Sequence, residues 1–121
     1  MSKNVAEEKS FLFAIRVVNL NKIMNEKMKE YVLSKQLLRS GTGIGALLRE
    51  AKQAESKADF IHKHAIALKE ANERTYWIEL MHATNYITKA EHDSLHNNCV
   101  ELIKLLTSII KTTKNNLKNK G

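Results

Sequence analysis

Three glycines alternate in the segment GTGIGA, residues 41–46, and closely spaced glycines are typical of phosphate-binding loops. A dinucleotide-binding loop requires G-x-G-x-x-G directly after a strand, and a P-loop requires a following Lys-Ser or Lys-Thr. This segment has the spacing G-x-G-x-G, follows the helix-forming sequence KQLLRS and is followed by neither pair. We therefore interpret it as a helix face, on which Gly41 and Gly45 allow a neighbouring helix to approach closely. The expected neighbour is the third predicted helix, through Ala65, Ala67 and Ala71.

Two histidines one helical turn apart, His92 and His96, have the spacing of the zinc-binding motif H-E-x-x-H. Asp93 stands where that motif has glutamate, and its shorter carboxylate would reach a metal-bound water poorly. No third ligand is evident downstream in the sequence, whereas a catalytic zinc site needs three protein ligands. We therefore predict no metal site here, and no other motif in the sequence predicts a cofactor.

Two carboxylates in the third predicted helix, Glu70 and Glu73, could in principle act as acid and base. The sequence offers no candidate nucleophile or cleft around them, so we predict no catalytic residues and a non-enzymatic protein. Two structural interpretations stay open. Glu70 can pair with Arg74 at i,i+4 on the surface, or a carboxylate can turn inward and form a buried charged network with an arginine of the second helix. The residues of that network would be Glu70 or Glu73, Arg39 or Arg49, and a covering Trp77.

The composition predicts one almost entirely helical domain. The chain has 121 residues, no proline and four glycines, and most of its residues are good helix formers. No stretch approaches the roughly 18 apolar residues of a membrane span, and residues 1–10 lack the apolar core of a signal peptide. A single cysteine cannot form an internal disulfide, so we expect a cytoplasmic location.

Apolar periodicity and capping signals predict four helices, over about residues 10–29, 34–55, 58–84 and 89–117. Ser56 and Asp59 have the pattern of a capping box before the third helix, as do Thr88 and Glu91 before the fourth. Because short connections make long neighbouring helices antiparallel, the predicted fold is all-α, an antiparallel up-down-up-down four-helix bundle.

The remaining residues are predicted to lie outside the bundle, with residues 1–9 a flexible N-terminal arm and residues 118–121 a basic tail. Inside it, the second helix should bury Leu37, Gly41, Ile44, Leu48 and Ala51. The third helix should turn inward a narrow stripe of Ile61, Ala65, Leu68, Ala71, Thr75 and Ile78. The first and fourth helices carry more apolar surface than one seam can bury, which predicts self-association.

The charge of the chain is strongly basic, with 20 Lys and Arg against 13 Asp and Glu and a net charge of +7. This balance favours RNA, DNA or acidic protein surfaces as partners, although a solvated basic surface that binds nothing has the same composition. The predicted phosphate contacts are Arg39, Arg49, Lys52, Lys57 and Lys63. From Lys111 the chain reads KTTKNNLKNKG, with four lysines and no acid, which predicts a frayed tail able to reach a phosphate backbone.

Two long segments, EYVLSKQLLRSGTGIGALLREA and DFIHKHAIALKEANERTYWIELM, resemble one family of small four-helix-bundle proteins. The family comprises proteins encoded in intervening sequences of bacterial 23S ribosomal RNA genes and the accessory variability proteins of diversity-generating retroelements. The resemblance covers about residues 11–110. Its most specific motifs are Leu37-Leu38-Arg39-Ser40-Gly41-Thr42, Arg49-Glu50-Ala51, Asp59-Phe60-Ile61, and Ala67-Leu68-Lys69-Glu70-Ala71 with Tyr76-Trp77.

The resemblance implies a bundle that assembles as a homopentameric ring with a basic surface suited to nucleic acid. Its retroelement members are thought to bind RNA or DNA and to contact the reverse transcriptase, and its ribosomal-insert members, which this chain resembles more, have no established activity. The leading hypothesis is therefore a non-enzymatic, oligomeric protein that binds nucleic acid. The alternative is a scaffold that binds a protein partner such as a reverse transcriptase. A metal-dependent hydrolase would depend on His92 and His96 alone.

Overall fold

A computed structural model describes the backbone of residues 4–120 and the side chains of residues 4–118. These residues form four helices, α1 (Val5–Glu26), α2 (Val32–Ala51), α3 (Lys57–Ala83) and α4 (Lys89–Lys120), and no strand. The helices pack on one another around a shared apolar core. The predicted all-α four-helix bundle is confirmed.

The contacts between α1 and α2 pair residues in opposite chain order. On α2, Gly41 lies beside Val17 of α1, whereas the later Gly45 lies beside the earlier Ser10. Consecutive helices share the large interfaces, and the interface between α1 and α4 is by far the smallest. Helices α1 and α2 therefore pack antiparallel, and α1 and α4 touch only lightly.

The core is built from one stripe of each helix. On α2 the predicted stripe is confirmed, since Leu37, Gly41, Ile44, Leu48 and Ala51 are all buried. On α4 the buried apolar residues are Leu95, Cys99, Leu102 and Leu106. Helix α1 contributes Phe13, Val17, Leu20 and Met24 to the core. Spacings of three and four residues place each set on one side of its helix.

The predicted inner face of α3 is wrong in its register. The buried residues are His64, Ala67, Ala71, Arg74, Ile78 and Met81, and Ala65 is exposed. Ala71 and Ile78 belong to both the predicted and the observed stripe. They are seven residues apart, and a step of three and a step of four residues join them in either order. The residue between them is Arg74 rather than Thr75, and an arginine was expected to face water.

The predicted N-terminal arm is also wrong where it can be examined. Residues 1–3 lie outside the described residues, but α1 begins at Val5. Asn4 caps this helix, because its side chain accepts a hydrogen bond of 2.9 Å from the backbone N–H of Glu7. Ala6 and Ser10 are buried, so the first turns of α1 are part of the core. The sequence Asn4-Val-Ala-Glu7 has the residue types of an N-terminal cap, and this signal was missed.

At the other end, α4 continues through the predicted basic tail as far as Lys120, and Gly121 lies outside the described residues. Lysines near a helix C-terminus interact favourably with the helix dipole, which gives a physical reason for the extension.

The predicted end of α2 at residue 55 is too late. The helix ends at Ala51, after which three successive N–H groups, of Lys52, Gln53 and Ala54, bond to the carbonyl three residues back.

The connections are short and capped. The N–H of Asp59 donates to Oγ of Ser56 at 3.0 Å, and Thr88 and Glu91 exchange reciprocal side-chain to backbone bonds of 2.9 and 3.1 Å. The two predicted capping signals thus mark the starts of α3 and α4. The start of α2 is capped differently. The carboxylate of Glu30 accepts hydrogen bonds from the backbone N–H groups of Val32, Leu33 and Ser34.

Candidate nucleic-acid interface

Two of the predicted phosphate contacts, Arg49 and Lys52, lie at the C-terminal end of α2 and share one acidic partner. Nζ of Lys52 is 2.8 Å from Oε2 of Glu7, and Nε of Arg49 is 3.7 Å from Oε1 of the same carboxylate. The guanidinium of Arg49 also lies 5.3 Å from the centre of the Phe11 ring. Both cations stay more than half exposed, and one carboxylate cannot neutralise two of them.

The other three predicted contacts are spread more widely. Nζ of Lys63 lies 3.7 Å from a carboxylate oxygen of Glu50. Lys57 is the first residue of α3 and, with Lys52, lines a surface cavity of about 430 Å³ between the α2–α3 turn and α4. Arg39 is exposed on α2, ten residues and therefore about 15 Å before Arg49 along the helix axis.

We call Arg49, Lys52, Lys57 and Lys63 the α2–α3 corner. The structure brings these four cations to one end of the bundle and leaves Arg39 apart from them. Glu7 and Glu50 bind three of the four, which lowers the local positive charge relative to a bare cluster. The corner can still interact with phosphate, but contacts to Arg49, Lys52 and Lys63 would compete with existing ion pairs.

The strongest electrostatic feature lies in the core, where the side chain of Arg74 is fully buried. None of its three guanidinium nitrogens has a hydrogen-bond partner among the described residues. Its Cζ lies 4.8 Å from the centre of the Phe13 ring, a cation–π contact that offsets part of the desolvation cost. Burial lowers the pKa of Arg74 to about 10, against the opposing influence of Cys99, Glu70 and Glu73, so the group is still charged at neutral pH.

Sequence reasoning missed Arg74 as a core residue. The signal was present, because Arg74 follows Ala71 by three residues and precedes Ile78 by four, which places it on their face of α3. The thiol of Cys99 lies in the same core, and burial raises its pKa to about 12, so it is neutral at physiological pH.

The predicted charged network between α2 and α3 differs from the observed arrangement. The ion pair of Arg49 is with Glu7 of α1, and Arg39 is exposed. Glu73 accepts a hydrogen bond of 3.3 Å from the indole N–H of Trp77, which packs half-buried against the core. The surface pair of Glu70 with Arg74 is wrong as well, since the arginine turns inward.

The glycines of α2 have three different environments. A Cβ on Gly41 would lie 2.7 Å from Cγ1 of Val17 and 2.8 Å from Nη1 of Arg74, so this glycine is required by a close approach of both α1 and α3. A Cβ on Gly45 would make an ordinary contact of 3.6 Å with Oγ of Ser10. Its neighbour is therefore α1 and not the predicted α3. A Cβ on Gly43 would meet nothing within 4 Å.

The histidines of α4 lie against a third histidine from α3. The ring centres of His92 and His96 are 5.4 Å apart and stacked, and those of His92 and His82 are 4.9 Å apart. Nδ1 of His92 faces the carboxylate of Asp93 at 3.0 Å. Stacked rings point their nitrogens past one another, and within residues 4–118 no group of three His, Cys, Asp or Glu side chains is placed to hold a metal ion.

In the part of the chain that the structure describes, no helix has the length and apolar content needed to cross a membrane. No curated protein matches the sequence.

Two comparisons relate the chain to known proteins. A crystal structure of a protein of unknown function from the S23 ribosomal protein family, from Bacteroides thetaiotaomicron, is 57% identical to it. The match covers 88% of this chain and 98% of the other, with a TM-score of 0.86. The sequence profile described as "23S rRNA-intervening sequence protein" matches residues 2–108. With sequence and fold in agreement over most of its length, the chain belongs to the 23S rRNA-intervening sequence protein family.

Proposed function

We propose that this protein binds nucleic acid, RNA or DNA, through its basic surface. The observation that carries the proposal is the net charge of +7 on one small domain, with exposed cations that outnumber their carboxylate partners. A polyanion gains from such a surface by releasing its condensed counterions. The described residues form no recognition element for base edges, so the interaction would be with the phosphate backbone.

We also propose that the protein is not an enzyme. Glu73 is engaged by Trp77, the rings of His92 and His96 are stacked, and the thiol of Cys99 is buried and neutral. These contacts are those of structural residues, and they leave none of these four groups poised as a nucleophile or base in a cleft. Binding, rather than chemical conversion of the nucleic acid, is the expected outcome of an encounter.

The test is a binding titration of labelled RNA and duplex DNA at several salt concentrations. A phosphate-binding surface should lose affinity linearly on a log–log plot, with a slope of about 0.9 per phosphate contacted on a duplex. The Arg49→Ala/Lys52→Ala double variant should lower both the affinity and the slope. If neither nucleic acid binds at about 50 mM salt, where such contacts are strong, the proposal is wrong.

We further propose that the protein self-associates, as a homopentamer, through the outward face of α1. This face carries large exposed apolar side chains, Phe11, Leu12, Ile15 and Ile23, and it lies beside the small α1–α4 interface. Sedimentation equilibrium should give five times the chain mass. The double variant Leu12→Glu/Ile15→Glu should have the mass of a single chain. Val32→Glu, at another exposed apolar position, should keep the mass of five chains. A wild-type monomer at high micromolar concentration would contradict the proposal.

An alternative function, a scaffold for a protein partner, is favoured by a separate apolar patch at the α1–α2 turn. Met28, Tyr31 and Val32 are all exposed there, and Val32, at 72%, is the most exposed large apolar residue among the described side chains. An apolar interface tolerates salt, unlike phosphate binding. Binding to a purified reverse transcriptase of a diversity-generating retroelement that persists in high salt and is lost in Val32→Glu would favour this alternative.

A further inference from the structure

The second half of α4 concentrates positive charge more than any other described segment. Its acidic residues, Glu91, Asp93 and Glu101, all precede Leu102, and no acid follows in the rest of the sequence. Glu101, the last of them, is already bound to Lys9 of α1 at 2.9 Å. Beyond it, the lysines with described side chains are Lys104, Lys111, Lys114 and Lys118. We call these four the α4 lysine row.

Helical geometry aligns the row. Lys104, Lys111 and Lys118 are spaced by seven residues, which is two turns with a drift of only about 20° per step. Lys114 lies three residues after Lys111 and four before Lys118, so it is close to the same side of α4. The row therefore extends for about 21 Å along one helix. All four side chains are exposed.

The row differs from the α2–α3 corner in its freedom from acidic partners. Ion pairs with described carboxylates bind Arg49, Lys52 and Lys63 in the corner, but none involves a lysine of the row. A phosphate that approaches the row therefore breaks no described ion pair, whereas one that approaches Arg49, Lys52 or Lys63 competes with Glu7 or Glu50. This asymmetry favours α4 as the primary contact.

A shallow groove of about 310 Å³ accompanies the row between α4 and α3. Three of the lysines, Lys111, Lys114 and Lys118, line it together with Thr107 and Asn115. The hydroxyl and amide groups can donate hydrogen bonds to phosphate oxygens. Leu68 and Ile110 give the groove an apolar floor suited to the sugar face of a backbone. Charge, hydrogen-bond donors and shape thus coincide along a straight path.

The row also indicates which form of nucleic acid fits. Proteins that bind single strands stack the bases on aromatic side chains, and α4 contains no Phe, Tyr or Trp. A duplex instead offers a regular backbone with one charge per about 1.7 Å of axis. We propose that the α4 lysine row, from Lys104 to Lys118, is the primary surface that contacts the phosphate backbone of a nucleic-acid duplex. This inference rests on the proposed nucleic-acid binding and specifies where it occurs.

The test compares charge-removal variants of equal size by salt-titrated binding to a duplex. The row variant is Lys111→Gln/Lys114→Gln/Lys118→Gln. The matched control is Lys22→Gln/Lys27→Gln/Lys35→Gln, which removes three exposed lysines without described acidic partners at the opposite end of the bundle. At about 0.1 M salt the row variant should bind at least 30-fold more weakly, with the log–log slope reduced by about three, and the control should change little.

Two further measurements keep the outcomes distinct. Substitutions at exposed positions should leave folding intact, which circular dichroism and thermal melting of each variant check. On the wild type, acylation of Lys111, Lys114 and Lys118 by an amine reagent should slow when a duplex is bound. Three results would overturn the inference. They are an equal loss of affinity in the row and control variants, no protection of these amines by the duplex, and tighter binding of a single strand than of a duplex of the same sequence. Absence of all binding by the wild type would instead refute the proposed function itself.

Discussion

Nη1 of Arg74 lies 2.8 Å from the point that a Cβ on Gly41 would occupy, which places the guanidinium in the space left by the missing side chain. A buried arginine and a helical glycine are both unfavourable by themselves. Together they are complementary in volume, because the glycine of α2 admits the tip of the α3 arginine. The two residues should therefore be coupled energetically.

Gly41→Ala should destabilise the protein by about 1–3 kcal/mol, the usual cost of overpacking a closed core. The methyl group would meet both Nη1 of Arg74 and Cγ1 of Val17, which are buried and cannot move into solvent. Urea denaturation followed by circular dichroism measures the change. In an Arg74→Met background the same substitution should cost less, and equal costs in both backgrounds would show that the pair is not coupled.

Gly43→Ala should have the opposite effect and raise the free energy of unfolding by about 0.5–1 kcal/mol. Its Cβ would meet nothing within 4 Å, so only the gain in helix propensity remains. Gly45→Ala is the intermediate case, since an ordinary contact of 3.6 Å with Ser10 is tolerated. Denaturation midpoints should therefore rank in the order of Gly43→Ala, Gly45→Ala and Gly41→Ala, from most to least stable. Any other order contradicts the packing described for α2.

Arg74→Met should leave the stability unchanged or raise it by about 1–4 kcal/mol. Methionine fills a similar path through the core without the desolvation cost of a charge that has no described hydrogen-bond partner. Phe13 would lose a cation–π contact and keep an apolar neighbour. A loss of more than about 2 kcal/mol in thermal or urea denaturation would mean that the guanidinium contributes net stability in the folded state.

Glu30→Gln should lower the stability by about 1 kcal/mol at neutral pH, the typical contribution of an N-terminal cap. Burial acts to raise the pKa of Glu30, but hydrogen bonds from Leu33, Ser34 and Val32 lower it overall from its ordinary value of 4.5. A lowered pKa means that the folded state favours the carboxylate. Its contribution is therefore complete above pH 4.5 and is lost as the pH falls through the lower folded value.

Denaturation of wild type and Glu30→Gln between pH 7 and pH 3 checks this expectation. The stability difference between the two proteins should shrink below pH 4.5. A difference that stays constant over the whole range would show that the charge of Glu30 does not hold the start of α2. Glu26→Gln, at an exposed carboxylate without a described ion pair, serves as the control.

The helices and their caps could be predicted because their causes are local. The buried stripe of α2 and the boxes at Ser56 and Thr88 depend on spacing and on side chains within one turn. The cap at Asn4 has the same local origin and was available in the sequence. The start of α2 was less accessible, because a glutamate placed before the helix takes the role usually filled by Ser, Thr, Asp or Asn.

The partners of charged residues could not be predicted in the same way. Glu7 is far from Arg49 and Lys52 in the chain, and only the packing of α1 on α2 brings them together. The spacing of Arg74 places it on the inner face of α3, but the space for its guanidinium depends on Gly41 of another helix, which local spacing does not reveal. Small residues such as Ala65 and Ala67 fit either face of α3, which left its register undetermined.

The small interface between α1 and α4 has a kinetic consequence. Because consecutive helices make the large interfaces, most of the stabilising contacts join segments that are near each other along the chain. Closing such short loops costs little entropy, and helical domains of low contact order fold in microseconds to milliseconds. The sequence also contains no proline, so no slow peptide-bond isomerisation delays any molecule. Stopped-flow refolding of the single chain should therefore show one fast phase, in which the contacts between consecutive helices form without waiting for α1 and α4 to meet.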